Sequence, residues 1–207
     1  MDYKKNWFGH FNWFGLPLQD LIERENLPKI IVETGSYMGE GISLYSRMNA
    51  FDEINSIEIM EKWYNYNVEK FKNRPYIHLH LGASHEVLKE KFLDKDEACL
   101  FYLDAHYSGG ETGGLEIDNG CPVLRELEIV AKRNNEKDII VIDDMRLMGF
   151  KKTGGTPGDT IYPLTEFDFR HATIENMMTA VKKYRDDSIG FFLGGDRMYI
   201  ISTSILK

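Results

Sequence analysis

The sequence predicts an α/β fold, a doubly wound and mostly parallel seven-stranded sheet closed by an antiparallel hairpin, on three observations. Apolar stretches of strand length alternate with stretches of helical spacing from Lys29 to Arg133. The first of them, Ile30-Ile31-Val32, runs directly into Glu33-Thr34-Gly35-Ser36-Tyr37-Met38-Gly39-Glu40-Gly41, an acidic residue followed by three closely spaced glycines. Such a strand-to-helix turn lets the backbone reverse tightly and approach a ligand that bulkier side chains would exclude. Finally, Ile189–Leu193 and Met198–Ile201 are separated only by Gly194-Gly195-Asp196-Arg197. That link is too short for a parallel crossover, so the two strands pair antiparallel.

In chain order, Leu16 to Asn26 has helical spacing and Pro28 stops it before the first strand. Ahead of it, Trp7, Phe8, Phe11, Trp13 and Phe14 read as packing residues, with stacking on a sugar face or a subunit contact as alternatives. Strands are expected at Lys29–Glu33, Ile54–Ile59, Ile77–Leu81, Cys99–Ala105 and Asp138–Asp143, and helices at Gly41–Met48, Glu61–Phe71, Ser84–Phe92 and Pro122–Arg133. Two long stretches, Ser108 to Gly120 and Arg146 to His171, read as irregular loops. Loops of that length are commonly lids or binding surfaces, and these are expected to define an acceptor site; solvated surface is the alternative for Lys151-Lys152.

The 207 residues suffice for a single core, with residues 1–28 as an N-terminal aromatic and helical extension and 29–207 as the catalytic core, either a whole protein or part of a longer polypeptide. A net charge of −8 argues against a nucleic-acid groove, which draws affinity from clustered Lys and Arg. Cys99 and Cys121 suggest neither a disulfide framework nor a thiolate zinc site. No apolar run approaches the roughly 18 residues of a bilayer span, and no signal-peptide core precedes the fold. The expected location is cytoplasmic, without a nucleic-acid or membrane partner; a homo-oligomer stays open.

Glu58 ends the second strand about two dozen residues after Gly35, where a carboxylate accepts hydrogen bonds from both ribose hydroxyls of a nucleotide cofactor. The alternative is a charge complementing the next helix dipole. Asp104 and the pair Asp143-Asp144 emerge at the carboxyl ends of adjacent strands. Carboxylates so close repel one another, and a divalent cation held by oxygen donors, magnesium, manganese or calcium, keeps them ionised. Neighbouring strand residues point to opposite faces, so Asp143 and Asp144 share an ion only if the strand has begun to turn; otherwise one stands back or pairs with Arg146. His106 lies two residues beyond Asp104, on the same side of a continuing strand, and is the candidate general base for a hydroxyl, with a structural hydrogen-bonding role as its alternative. His78, His80 and His85 read as structural, and His10 and His171 stay open.

The ordered set Glu33-Thr34-Gly35-Ser36-x-x-Gly39-x-Gly41, Glu58, Gly82-Ala83-Ser84 and Asp104, with the terminal hairpin, resembles the motifs of class I S-adenosylmethionine-dependent methyltransferases, from about Lys29 onward. The resemblance implies a Rossmann-like sheet and a donor bound by Glu33, Thr34, Gly35, Ser36, Gly39, Gly41, Glu58, Ala83, Ser84 and Asp104. Glu33 would face the ammonium or sulfonium end, and Ala83 and Ser84 the adenine; Ser84 is also a good N-cap. Asp104, Asp143 and Asp144 occupy positions similar to the magnesium-binding acids of the macrocin-type sugar O-methyltransferases. That likeness implies metal-assisted methylation of a sugar or glycan hydroxyl, for example on a deoxysugar such as rhamnose, with Asp104 and His106 catalytic. The alternatives are a methyltransferase for a catechol, another small molecule or a protein, and a non-catalytic cofactor-binding domain. The hairpin disfavours a nicotinamide-linked oxidoreductase.

Overall fold

The computed structural model describes residues 28–133, 135–152, 167–185, 189–194 and 196–202. The expected helix Leu16–Asn26, the aromatic residues ahead of it, His10 and the Gly154-Gly155 and Pro157-Gly158 pairs lie outside them.

Three strands are buried at every residue: β4 (Cys99–Leu103) and β5 (Ile139–Ile142) are unbroken apolar or aromatic runs, and β1 (Ile30–Thr34) is apolar from Ile30 to Val32 and ends in buried Glu33 and Thr34. Such runs are what a parallel strand covered on both faces requires. β2 (Glu53–Glu58) and β3 (Ile77–Leu81) continue the sheet outward, and exposed His78 and Leu81 mark β3 as its edge. The helices between them are α1 (Glu40–Met48), α2 (Glu61–Phe71), α3 (Ser84–Val87, continued by a π-helical turn over Leu88–Phe92) and α4 (Val123–Lys132). A two-stranded ribbon, β6 (Lys151–Lys152) with β7 (Phe167–Asp168), precedes α5 (Ile174–Lys182), β8 (Ile189–Gly194) and β9 (Arg197–Ser202).

The seven-stranded sheet has the order β3-β2-β1-β4-β5-β9-β8, parallel through β5 and antiparallel at β5–β9 and β9–β8. The expected hairpin therefore inserts its second strand next to β5. Alternation along the strands divides the core in two: Val32, Phe101 and Ile140 pack with Leu127, Val130 and Val181 on one face, and Ile31, Leu100 and Val141 with Ile42 and Tyr45 on the other. Each such fully buried large side chain contributes roughly 1.5–3 kcal/mol.

The differences from expectation are local. β4 stops at Leu103 and β5 at Ile142, so Asp104, His106, Asp143 and Asp144 stand on turning backbone and not on strand; Asp144 has φ 55°. The expected Ser84 cap is absent: Ala83 is the N-cap residue, and Ser84 is buried within the first turn. α5 was not expected; Thr173 caps it, its side chain accepting from the backbone of Asn176 at 3.1 Å. Lys151, read as loop, lies in the short ribbon with its Nζ 3.8 Å from Asp168. His80 is structural, 3.0 Å from Asn55 and edge-on to Phe92, and the open His171 contacts the carbonyl of Cys121 at 3.0 Å. Among the described residues no helix is long and apolar enough to cross a membrane.

Candidate active site

A cleft of about 500 Å³ opens at the carboxyl ends of β1, β2, β4 and β5, where an open α/β sheet binds ligands. Its floor is the turn after β1. Gly35 has φ +85°, and a Cβ there would stand 2.4 Å from the Asp104 carbonyl oxygen. The other two glycines serve packing inside the protein: a Cβ on Gly39 would meet the Asn67 side chain at 2.3 Å, and one on Gly41 would meet Glu33 Oε1 at 1.9 Å. Thr34 is wholly buried, and its Oγ1 accepts from the Asp104 N–H at 3.1 Å, tying β1 to β4.

Of the expected donor-binding residues, Glu33, Gly35, Ser36, Gly41, Glu58, Ser84 and Asp104 line the cleft, whereas Thr34, Gly39 and Ala83 do not. Glu58 Oε2 accepts from the Tyr37 N–H at 2.7 Å and Oε1 from the Met60 N–H at 2.8 Å, so this carboxylate fixes the β1–α1 turn as well as facing the cavity. Burial raises its pKa, with those N–H bonds opposing. Burial also pushes Glu33 up to about 8, against the Ser56 hydroxyl 2.5 Å from its Oε2. Ser84 bonds Glu126, a buried acid raised to about 7 by burial and held also by Thr34.

The acids across the cleft arrange themselves differently from the expected triad. Asp143 is engaged by the Tyr102 hydroxyl and by Arg197, whose Nε lies 3.2 Å from Asp143 Oδ1. Asp144, turned the other way by its left-handed backbone, meets His106 Nε2 at 3.0 Å and pairs with Arg146, which also pairs with Asp196. Asp104 Oδ1 stands 3.3 Å from His106 Nδ1. Donor atoms of Asp104, His106 and Asp144 thus lie within 4.8 Å of one another, and His106 takes the place expected of Asp143. Burial opposes a charge on His106, but the two carboxylates outweigh it and raise its pKa to about 10, above the near-neutral value expected of a base. Asp144, despite burial, is held well below the usual carboxylate range by His106 and Arg146. Asp104 is raised to about 7, chiefly by burial, although a third of its side chain still faces the cleft.

The residues after His106 cross the cleft as a strap. Glu111 O accepts from the Trp63 indole N–H at 2.9 Å, the Glu111 carboxylate pairs with Lys62 at 2.5 Å, and Gly113 packs against Ile59 and Met60 so closely that a Cβ would lie 2.7 Å from the Met60 sulfur. The strap falls within Ser108 to Gly120, the stretch expected to be a lid or binding surface; its Trp63 anchor was not foreseen, nor were Arg197, Tyr102 and Glu126. A lone tryptophan on a helix face or an arginine after a turn carries no sequence signal of its partner; only the β5–β9 register, Ile142 opposite Met198, brings Arg197 to Asp143.

No family model and no curated protein matches this sequence. Solved structures do share its fold. DesVI of Streptomyces venezuelae aligns with a TM-score of 0.54 at 8% identity, over 88% of this chain and 89% of that one. A putative caffeoyl-CoA O-methyltransferase from Staphylococcus aureus gives 0.51 at 15%, over 93% and 87%, and the methyltransferase domain of bacterial CtHen1-CN gives 0.51 at 12%, over 88% and 94%. With its 3-2-1-4-5 parallel order and inserted terminal strand, the chain has the Rossmann-like fold of the methyltransferases.

Proposed function

We propose that the protein is an S-adenosylmethionine-dependent methyltransferase acting on a hydroxyl of a small molecule or glycan, assisted by a divalent cation. One observation carries the reading: Glu33, Glu40, Glu58, Asp104, Asp143 and Asp144 line the cleft, and no Lys or Arg does among the described residues. A donor whose sulfonium and ammonium charges exceed its single carboxylate fits such a wall. A pyrophosphate does not, and Glu40 occupies the first turn of α1, where a dinucleotide would place its phosphates. This counts against the nicotinamide reading.

Each Glu58 oxygen already accepts one backbone N–H and retains a lone pair for a ribose hydroxyl. Glu33 is a neutral acid near neutral pH in the free protein, and a cationic group beside it favours its ionised form. The donor, when bound, supplies a methyl group on a positively charged sulfur. Asp104 and Asp144 offer oxygen donors that fit a divalent cation, which when bound acidifies an acceptor hydroxyl. Transfer to a hydroxyl releases a proton. His106, protonated between its carboxylates, is not free to take it, so without a cation the accepting group in this reading is Asp104, exposed to the cleft and raised to about 7 by burial, and with a cation on Asp104 the proton passes to solvent.

A neutral polyol matches a cleft lined by no Lys or Arg among the described residues; the choice of a sugar, and of a deoxysugar in particular, rests on the sequence resemblance. Catechols, other small molecules and protein hydroxyls are the competing acceptors. A metal-free variant of the reaction is favoured by His106 itself, since an imidazolium between two carboxylates already neutralises part of their charge.

The test is calorimetric titration with S-adenosylhomocysteine in magnesium and in chelator, with NAD as the competing ligand. Binding of the homocysteine compound and not of NAD is the expected result; the reverse overturns the reading. Acceptor turnover that persists in chelator selects the metal-free variant.

A further inference from the structure

The strap joins two walls that the sheet keeps apart. It leaves the end of β4 and returns into α4, yet its tip is fastened beyond the end of β2, two strands away across β1 and about 10 Å distant. Its ends are clasped together, the Tyr107 N–H donating to the Gly120 carbonyl at 2.6 Å, and Asp118 is held by two bonds from Arg125 of α4. Its leading stretch closes on itself: the Thr112 hydroxyl donates to the Gly109 carbonyl at 2.8 Å and accepts from the Ser108 N–H at 3.1 Å. A loop with a clasped neck and its own internal bonds moves as one piece, and Gly109 and Gly120, both in left-handed backbone, stand near that neck. On the far wall, made by the end of β2 and the start of α2, Glu111 is bonded to Trp63 and Lys62, and Gly113 packs against Ile59 and Met60. Ser108, Thr112, Gly113 and Ile117 line the same cleft as Gly35 and Glu58. Trp63 ties the fastening to Glu58, since its ring centroid lies 4.6 Å from that of Tyr37, whose N–H Glu58 holds.

We propose that residues 108–120 form a hinged lid over the donor half of the cleft, latched to the first turn of α2 through Glu111, and that donor and product exchange only when this latch releases; the inference rests on the methyltransferase reading of the cleft. A ligand held by Glu58 in front of the β1–α1 turn lies between the neck of the strap and its tip, and the bridging backbone has to lift for it to pass. The latch has two parts of different character. The Lys62 and Glu111 side chains are 53% and 65% exposed, so their ion pair is weak and screened by salt. The bond from the Trp63 indole is shielded, Trp63 being 7% exposed, and is the stronger part. Neither Lys62 nor Glu111 lines the cleft, so altering either changes the latch without removing a ligand contact.

The experiment uses the full chain, with S-adenosylhomocysteine in stopped flow and, separately, amide hydrogen exchange of the strap with no ligand added. Lys62→Met is expected to raise association and dissociation rates alike, by about two- to fivefold, and to leave the dissociation constant within about twofold. Trp63→Phe keeps an aromatic ring beside Tyr37 but has no N–H, and should raise the dissociation rate by about three- to tenfold. In both variants, hydrogen exchange across residues 108–120 should quicken by a similar factor while that of α4 is unchanged. Met60→Cys combined with Gly113→Cys supplies a lock, because a Cβ at 113 stands 2.9 Å from Met60 Cγ, close to where the sulfur introduced at 60 would lie. The oxidised pair should take up and release ligand roughly a hundredfold more slowly, and reductant should restore both rates. Should that pair fail to fold, the two single variants still decide. Equal ligand exchange in the oxidised and reduced pair, weakened affinity without faster association in Lys62→Met, or unchanged strap exchange in both single variants overturns the proposal. Failure of S-adenosylhomocysteine to bind the wild-type chain removes the methyltransferase reading instead, and hydrogen exchange then decides alone whether the latch holds the strap.

Discussion

Glu58 holds its own loop and faces the cavity with the same two oxygens. Glu58→Gln keeps the shape and one acceptor, but turns two donor hydrogens toward partners that are themselves donors. S-adenosylhomocysteine affinity is expected to fall roughly tenfold to a hundredfold, about 1.4–2.8 kcal/mol, by calorimetry. A lowered melting temperature with unchanged affinity would instead assign Glu58 to the loop alone. At this scale the sequence was informative where partners are close in the chain: Asp104 and His106 were legible together because two residues separate them. The partners of Asp143, Tyr102 and Arg197, were not legible because they lie 41 and 54 residues away. The same distance hid the reason that His106 holds its proton, since Asp144 reaches it only after the backbone reverses.

The β1–α1 turn works as a unit because three of its glycines are pressed against protein atoms. Gly35→Ala places a methyl group against the Asp104 carbonyl in a left-handed backbone. The strain should cost roughly 1–3 kcal/mol, read as a lower urea midpoint, and it should also abolish donor binding, because relieving it moves the end of β4 that carries Asp104. Unchanged donor affinity in a destabilised variant would show that the turn only joins two elements. Elements covered on both faces were the most legible: β4 and β5 are continuous apolar or aromatic runs and β1 opens on one, Ile30 to Val32, as parallel strands buried on both faces require. Their ends were not, because a strand stops where its neighbours stop offering partners, and that depends on the sheet. α5 escaped notice although Thr173 and Asn176 form its cap and Met177, Met178 and Val181 its buried stripe, because it follows a long stretch read as irregular.

At the scale of the whole molecule, burial raises the pKa of several acids among the described residues, Asp104 and Glu58 included, and most clearly of two that lie deep in the fold. Glu33, at about 8, and Glu126, at about 7, both start from 4.5. The folded state therefore binds more protons than the unfolded one as pH rises from 4.5 toward 8, and its stability declines through that interval. Urea midpoints measured from about pH 5 to about pH 9 should fall, and Glu33→Gln should flatten the decline; a midpoint rising with pH would contradict the burial of both acids. The same global view gives the inserted hairpin a further meaning. Asp143 and Asp144 leave the end of β5 beside one another, yet the residues that balance the site from the far side, Asp196 bridging Arg146 and Arg197 meeting Asp143, come from the turn and first residue of β9. The charge balance of the pocket therefore depends on β9 lying beside β5, because that register alone brings Arg197 to Asp143 and Asp196 to Arg146.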